Sequence, residues 1–111
     1  MSTNEFVVVL TTLPSDADAG SVASALVDRR LAACVNILGD MRSVYRWNDE
    51  VEVEHERQLV IKTTSDALPR LWEYLQGDHP YENAEFLVLP VIDGSGAYLN
   101  WIRESTTSHD A

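Results

Sequence analysis

The chain has a single cysteine, Cys34, which excludes an internal disulfide and any Cys-x-x-Cys zinc or redox pair. Cys34 lies in the apolar run Leu31-Ala32-Ala33-Cys34-Val35, a setting for a buried, inert thiol. Basic residues are also scarce. Eight stand against 18 acidic residues, for a formal charge of −10, and Lys62 is the sole lysine. Phosphate binding needs clustered Lys and Arg, so no nucleic-acid partner is expected. An acidic, lysine-poor surface suits a high-salt cytoplasm, with a mesophilic acidic protein as the plainer alternative. Long apolar runs are missing as well. Phe6 to Leu10 is five residues without a basic flank, too short for a signal peptide or a membrane span, so a cytoplasmic protein with no membrane partner is expected. There is no Gly-x-Ser-x-Gly elbow, no Walker or dinucleotide glycine pattern and no His-Glu-x-x-His. The first loop, Thr12-Leu13-Pro14-Ser15-Asp16, is acidic and without glycine, unlike the arginine-bearing phosphate loop that an acylphosphatase-like use of such a chain would need. No enzyme is expected.

What is present is a hydrophobic content of 45% in 111 residues, enough for one core and too little for two. A single domain over residues 1–105 is expected, with a flexible tail at 106–111. Residues 41 to 63 read as an oversized hairpin. Met41, Val44, Tyr45 and Trp47 lead to an Asn48-Asp49 turn, after which Val51, Val53, His55, Arg57, Leu59 and Ile61 alternate with Glu50, Glu52, Glu54, Glu56 and Gln58. From Glu50 to Thr63 such a strand would span roughly 45 Å, far beyond the usual strand of about 5 to 6 residues. One small domain cannot cover it, so the overhanging arm predicts an oligomer.

Phe6 to Leu10 predicts a central strand covered on both faces. Ser15, with Asp18 three residues on, predicts a capped helix to about Arg30, with Ala19, Val22, Ala23 and Leu26 facing inward. A strand follows at 33–38, and Gly39 suggests a bulge before the arm. Asp66 as N-cap, Pro69 in the first turn and Gly77 as the stop bound a second helix whose core stripe is Leu68, Leu71, Trp72 and Leu75. Glu85 to Ile92 predicts a last strand, placed at an edge or a bulge by Pro90. Gly94-Ser95-Gly96 then introduces a short helix with Tyr98, Trp101 and Ile102 on one side. The order is that of an α+β, ferredoxin-like βαββαβ sandwich with a long second hairpin and a short C-terminal helix. Two helices cover one face of such a sheet. A neighbouring subunit is the economical cover for the other.

Leu31-Ala32-Ala33-Cys34-Val35-Asn36-Ile37, Ser43-Val44-Tyr45-Arg46-Trp47, Glu56, Ile61-Lys62-Thr63, His79-Pro80-Tyr81, Glu85, Tyr98-Leu99 and Trp101-Ile102 closely resemble the CutA family of divalent-cation tolerance proteins, in order and with compatible spacing. The resemblance implies a stable ferredoxin-like homotrimer, associated with tolerance to copper and other divalent cations, akin to PII signalling proteins and without established catalysis. Three positions depart from the family pattern: Asp49 replaces the usual turn glycine, Ala84 a proline before Glu85, and Thr11 a cysteine that some members carry. The last change removes a soft ligand and weakens the case for selective copper binding.

His79 and Glu85, with Asp78 nearby, form the candidate metal site. Together they offer nitrogen and oxygen donors for a weakly held copper or zinc ion. The plainer reading is that His79 caps the preceding helix. Glu50, Glu52 and Glu54 read as a solvated row. Glu56 sits at the base of the arm, where a buried partner such as Lys62 or a neighbour's arginine is expected. His55 falls on the apolar face of the arm and reads as a hydrogen-bonded core or interface residue. Tyr45 and Trp47 are expected in the trimer interface. Lys62, Glu56, Tyr81, Tyr98 and Trp101 could wall an intersubunit cleft for a small anionic or amphipathic ligand, the PII-like alternative to metal tolerance.

Overall fold

The computed structural model describes residues 4 to 107. Strand β1 (Phe6–Pro14) is followed by α1 (Ala19–Asp28), β2 (Cys34–Trp47), β3 (Glu50–Thr64), a 3-10 turn (Ser65–Ala67), α2 (Leu68–Asp78), β4 (Leu87–Pro90) and α3 (Gly96–Thr106). The four strands make one sheet in the order β2-β3-β1-β4. Every neighbouring pair is antiparallel, the arrangement of the split βαβ topology.

The arm forms as its residues dictate. Asn48 and Asp49 adopt φ of 50° and 64°, the left-handed angles whose twist matches a two-residue hairpin. Pairing runs from Trp47 and Glu50 at the tip to Cys34 and Lys62 at the base, with a shift between Leu38 and Met41. Gly39 sits in that bulge with φ of 139°. A Cβ there would come within 3.2 Å of the Glu56 carbonyl oxygen, so the bulge requires glycine.

Alternation along the strands divides the sheet into two faces. Val9, Leu13, Leu59 and Ile61 pack with Leu26 of α1 and with Leu71 and Leu75 of α2. On the opposite face α3 covers one end, where Ile102 meets Phe6 and Ala33 and Arg103 pairs with Glu5 at 2.6 Å. The rest of that face carries exposed Leu38, Leu87 and Leu89.

Several local expectations are corrected. The carboxylate of Asp18, not Ser15, caps α1 by accepting from the Ser21 N–H at 3.1 Å. Asp66 lies in the 3-10 turn, Ala67 occupies the N-cap of α2, and the helix passes Gly77 to end at Asp78. Trp72 is 37% exposed and packs on Phe86 with ring centroids 4.7 Å apart, because its position lies at the margin of the stripe formed by Leu71 and Leu75. Cys34 is half-buried rather than enclosed, since it falls on the sheet face away from α1 and α2. Four-residue β4 pairs with β1 alone and is an edge strand, as Pro90 suggested. Tyr98 and Trp101 are exposed while Ile102 is buried, so the three do not share one packed side. Thr106 is buried within α3. Residues 108 to 111, including His109, lie outside the described residues. Among the described residues no helix is long and apolar enough to cross a membrane.

Candidate functional site

The loop after α2 folds back over the base of the arm and encloses a cleft of about 600 Å³. Its shape follows from a few polar bonds. The His79 ring accepts the Tyr81 N–H at Nδ1, 3.0 Å away, while its Nε2 stands 2.9 Å from the Thr12 carbonyl oxygen and donates to it. Two backbone groups therefore fix the ring's orientation, with Nδ1 as acceptor and Nε2 as donor. Tyr81 then reaches the sheet, where its hydroxyl donates to Glu56 Oε2 at 2.7 Å. Two residues along the same strand face, Gln58 Nε2 donates to the Thr11 carbonyl at 2.7 Å and to Glu85 Oε2 at 3.0 Å. Glu56 and Gln58 are thus successive rungs that pin the loop to β3.

Glu56 is only 7% exposed, and Tyr81 is its hydrogen-bond partner. This replaces the expected Lys62, which lies six strand residues away, about 20 Å along β3. Burial, followed by the bond to Glu56 and the charges of Glu56 and Glu54, holds the Tyr81 hydroxyl well above the usual phenol range. The folded chain keeps this proton at a pH where the unfolded chain, ionising near 10, has lost it. Above about pH 10 the unfolded state therefore binds fewer protons and stability falls. Tyr81→Phe should abolish that alkaline loss. Near neutrality it should cost about 1 to 3 kcal/mol by leaving a buried carboxylate oxygen without its donor. Urea unfolding at pH 7 and pH 11 checks both statements, and an unchanged alkaline slope in the variant would refute the assignment.

The structure divides the residues expected in one ligand cleft. Glu56, Tyr81 and Glu85 line it, as do Tyr45 and Trp47 from the arm. Lys62, Tyr98 and Trp101 form a separate group against α3. There Lys62 Nζ is 3.5 Å from the Tyr98 hydroxyl and 5.8 Å from its ring centroid, and the Tyr98 and Trp101 rings are 5.2 Å apart. Gln58, Thr12 and Glu82 were missed as site residues. For Gln58 the signal was available, since it shares the strand face of Glu56 at i+2. His55 is exposed on the other side of the arm.

The donors present do not make a resident metal centre within one subunit. Both ring nitrogens of His79 are engaged by backbone groups, and Glu85 is shared with Gln58. Among the described residues no group of three or more His, Cys, Asp or Glu side chains could hold a metal ion.

These features define an α+β protein with a four-stranded antiparallel sheet, a long two-stranded arm and a loop-closed cleft at its base. The family model described as CutA1 divalent ion tolerance protein matches residues 7–105, and the chain belongs to that family. A divalent-cation tolerance protein CutA from Thermus thermophilus is 48% identical over 99 residues, covering 89% of this chain and 96% of the relative. Protein CutA of Mus musculus is 41% identical over 97 residues, covering 87% of this chain and 55% of its own, so this chain spans about half the length of that relative. Among solved structures, the divalent cation tolerance protein of Thermus thermophilus superposes with a TM-score of 0.88 at 46% identity, covering 92% of this chain and 99% of the other. CutA1 from a psychrotrophic Shewanella species gives 0.91 at 36% identity, covering 96% and 100%.

Proposed function

We propose that this chain is a non-catalytic, cytoplasmic homotrimer of the divalent-cation tolerance class that binds copper or zinc weakly at the mouth of the cleft. The observation carrying the reading is the convergence of Glu85 and the His79 loop on an acid-lined cleft in a chain of this family. A cation taking His79 as a ligand must displace the Tyr81 N–H from Nδ1, and one taking Glu85 must compete with Gln58. Each displacement subtracts from affinity, which supports a weak rather than a tight site. The non-catalytic reading draws on the same bonds. The histidine beside the cleft spends both nitrogens on backbone groups and is not placed to act as a general base. The PII-like alternative needs a cation for an anionic ligand. Lys62 lies outside the cleft, and the relatives' names lend that reading no support.

Calorimetric titration of metal-free protein with copper and with zinc tests the proposal. Weak saturable binding is expected, lost when His79 and Glu85 are both replaced by alanine. Saturable binding that survives the double replacement would sink the site.

A further inference from the structure

We propose that the outer face of the arm, turned away from the cleft, is a docking surface for an acidic, extended peptide segment of a partner protein. Docking there needs neither a bound metal nor a particular assembly. In the ladder between β2 and β3, Arg46 stands opposite Val51, Val44 opposite Val53 and Arg42 opposite His55. These three rungs share one face, because the rungs between them, Tyr45 with Glu52 and Ser43 with Glu54, point the other way. The arm therefore sorts its charges by sign. Glu50, Glu52, Glu54 and Glu56 occupy the face that also carries Tyr45 and Trp47, whereas the three outer rungs hold two arginines and a histidine around three valines, and no acid.

The subunit itself leaves that strip uncovered. Val44, Val51 and Val53 are each more than half exposed, and Arg42, Arg46 and His55 are exposed beside them. Among the described residues the one ion pair joins Arg103 to Glu5, so neither arginine of the strip has its charge met by a carboxylate. Protection of an edge strand against unwanted pairing would be served by either sign of charge. A chain with 18 acidic residues and 8 basic ones has placed only basic groups here, and a purely solvated face has no use for three adjacent valines. The strip is two strands wide, with Arg42 and Arg46 about 13 Å apart along β2, which fits one extended chain. Residues i, i+2 and i+4 of such a chain face the strip at the same intervals, so the matching pattern is acid, apolar, acid at alternate positions. The two carboxylates meet the guanidinium forks, and the apolar side chain covers Val44 and Val53. A bilayer would instead meet the whole charge of −10, whereas a narrow peptide meets mainly the strip.

The probe is a fluorescein-labelled peptide, Ser-Glu-Ser-Ile-Ser-Glu-Ser, titrated with the intact protein and followed by fluorescence anisotropy in the presence of a chelator. A second peptide carries lysine in place of both glutamates, and vesicles of phosphatidylserine and phosphatidylcholine are tested by sedimentation. The glutamate peptide should bind saturably, about tenfold or more tighter than the lysine peptide, and should weaken as salt rises. Replacing both Arg42→Ser and Arg46→Ser should weaken it about tenfold, and Val53→Thr about threefold, with the far-ultraviolet circular dichroism unchanged. Glu52→Gln, on the opposite face, should leave the affinity within about twofold. If the double arginine variant fails to fold, Arg46→Ser alone gives the same comparison with a smaller loss. No saturable binding of the glutamate peptide, equal binding of the lysine peptide, an affinity indifferent to the arginine replacements, or attachment to the anionic vesicles in preference to the peptide would each overturn the proposal.

Discussion

Alanine at Ile61 is expected to lower the unfolding free energy by about 2 to 5 kcal/mol, the range for truncating a fully buried isoleucine. Alanine at Trp72 should cost distinctly less, although it removes more atoms. Ile61 is 0% exposed, sits in an inner strand opposite both Val9 and Val35, and belongs to the core beneath α1 and α2. The shortened side chain leaves a cavity that no neighbour can fill without moving a strand. Trp72 loses mainly its contact with Phe86, and water already reaches over a third of its surface. Urea unfolding of both variants at one chain concentration, so that any association contributes equally, makes the comparison. A Trp72→Ala loss equal to that of Ile61→Ala would return Trp72 to the core stripe where its helical spacing first put it.

That contrast shows where sequence reasoning works in this chain. The arm was legible because its signals are local. Alternation fixes which residues share a face, and Asn48-Asp49 can take the left-handed angles the hairpin needs. Gly39 was legible as a bulge for the same reason. Helix margins were not, because Ser15 and Asp18 are both competent caps and the choice depends on where the chain leaves β1. Trp72 has the right spacing for the stripe, yet exposure at its edge depends on how far Phe86 and the last loop extend over α2. The site is less legible still. The bond from Tyr81 to Glu56 joins residues 25 apart through a loop with no periodicity. Lys62 and Glu56 share a face, but distance along the strand, not face, decides contact. Family spacing identified Glu56, Tyr81, Lys62 and Tyr98 as notable together. The fold then set Glu56 and Tyr81 apart from Lys62 and Tyr98, about 20 Å along β3.

Aspartate at Leu87 is expected to convert the proposed trimer into single chains. Light scattering of the natural chain should give a mass near three times 12.4 kDa, and Leu87→Asp should reduce it to one chain mass with the far-ultraviolet circular dichroism retained. The reasoning starts from the face of the sheet that α1 and α2 do not cover. Leu87 pairs with Leu10, and Leu10 pairs with Val60, so an apolar strip crosses three strands beyond the end protected by α3. In the isolated chain Leu87 is 55% exposed, and a polar replacement there costs at most about 0.5 kcal/mol. In a closed trimer built on that strip, symmetry would bring three copies of the new charge into apolar contacts at once. Each would carry a desolvation penalty of several kcal/mol. The two environments therefore differ enough for a single substitution to separate folding from assembly. A trimer that persists with unchanged stability would show that the strip faces solvent. A natural chain that runs as a stable monomer would remove the reason for so long an arm, because a ribbon of 14 and 15 residues gains little from its own domain and must be held by another.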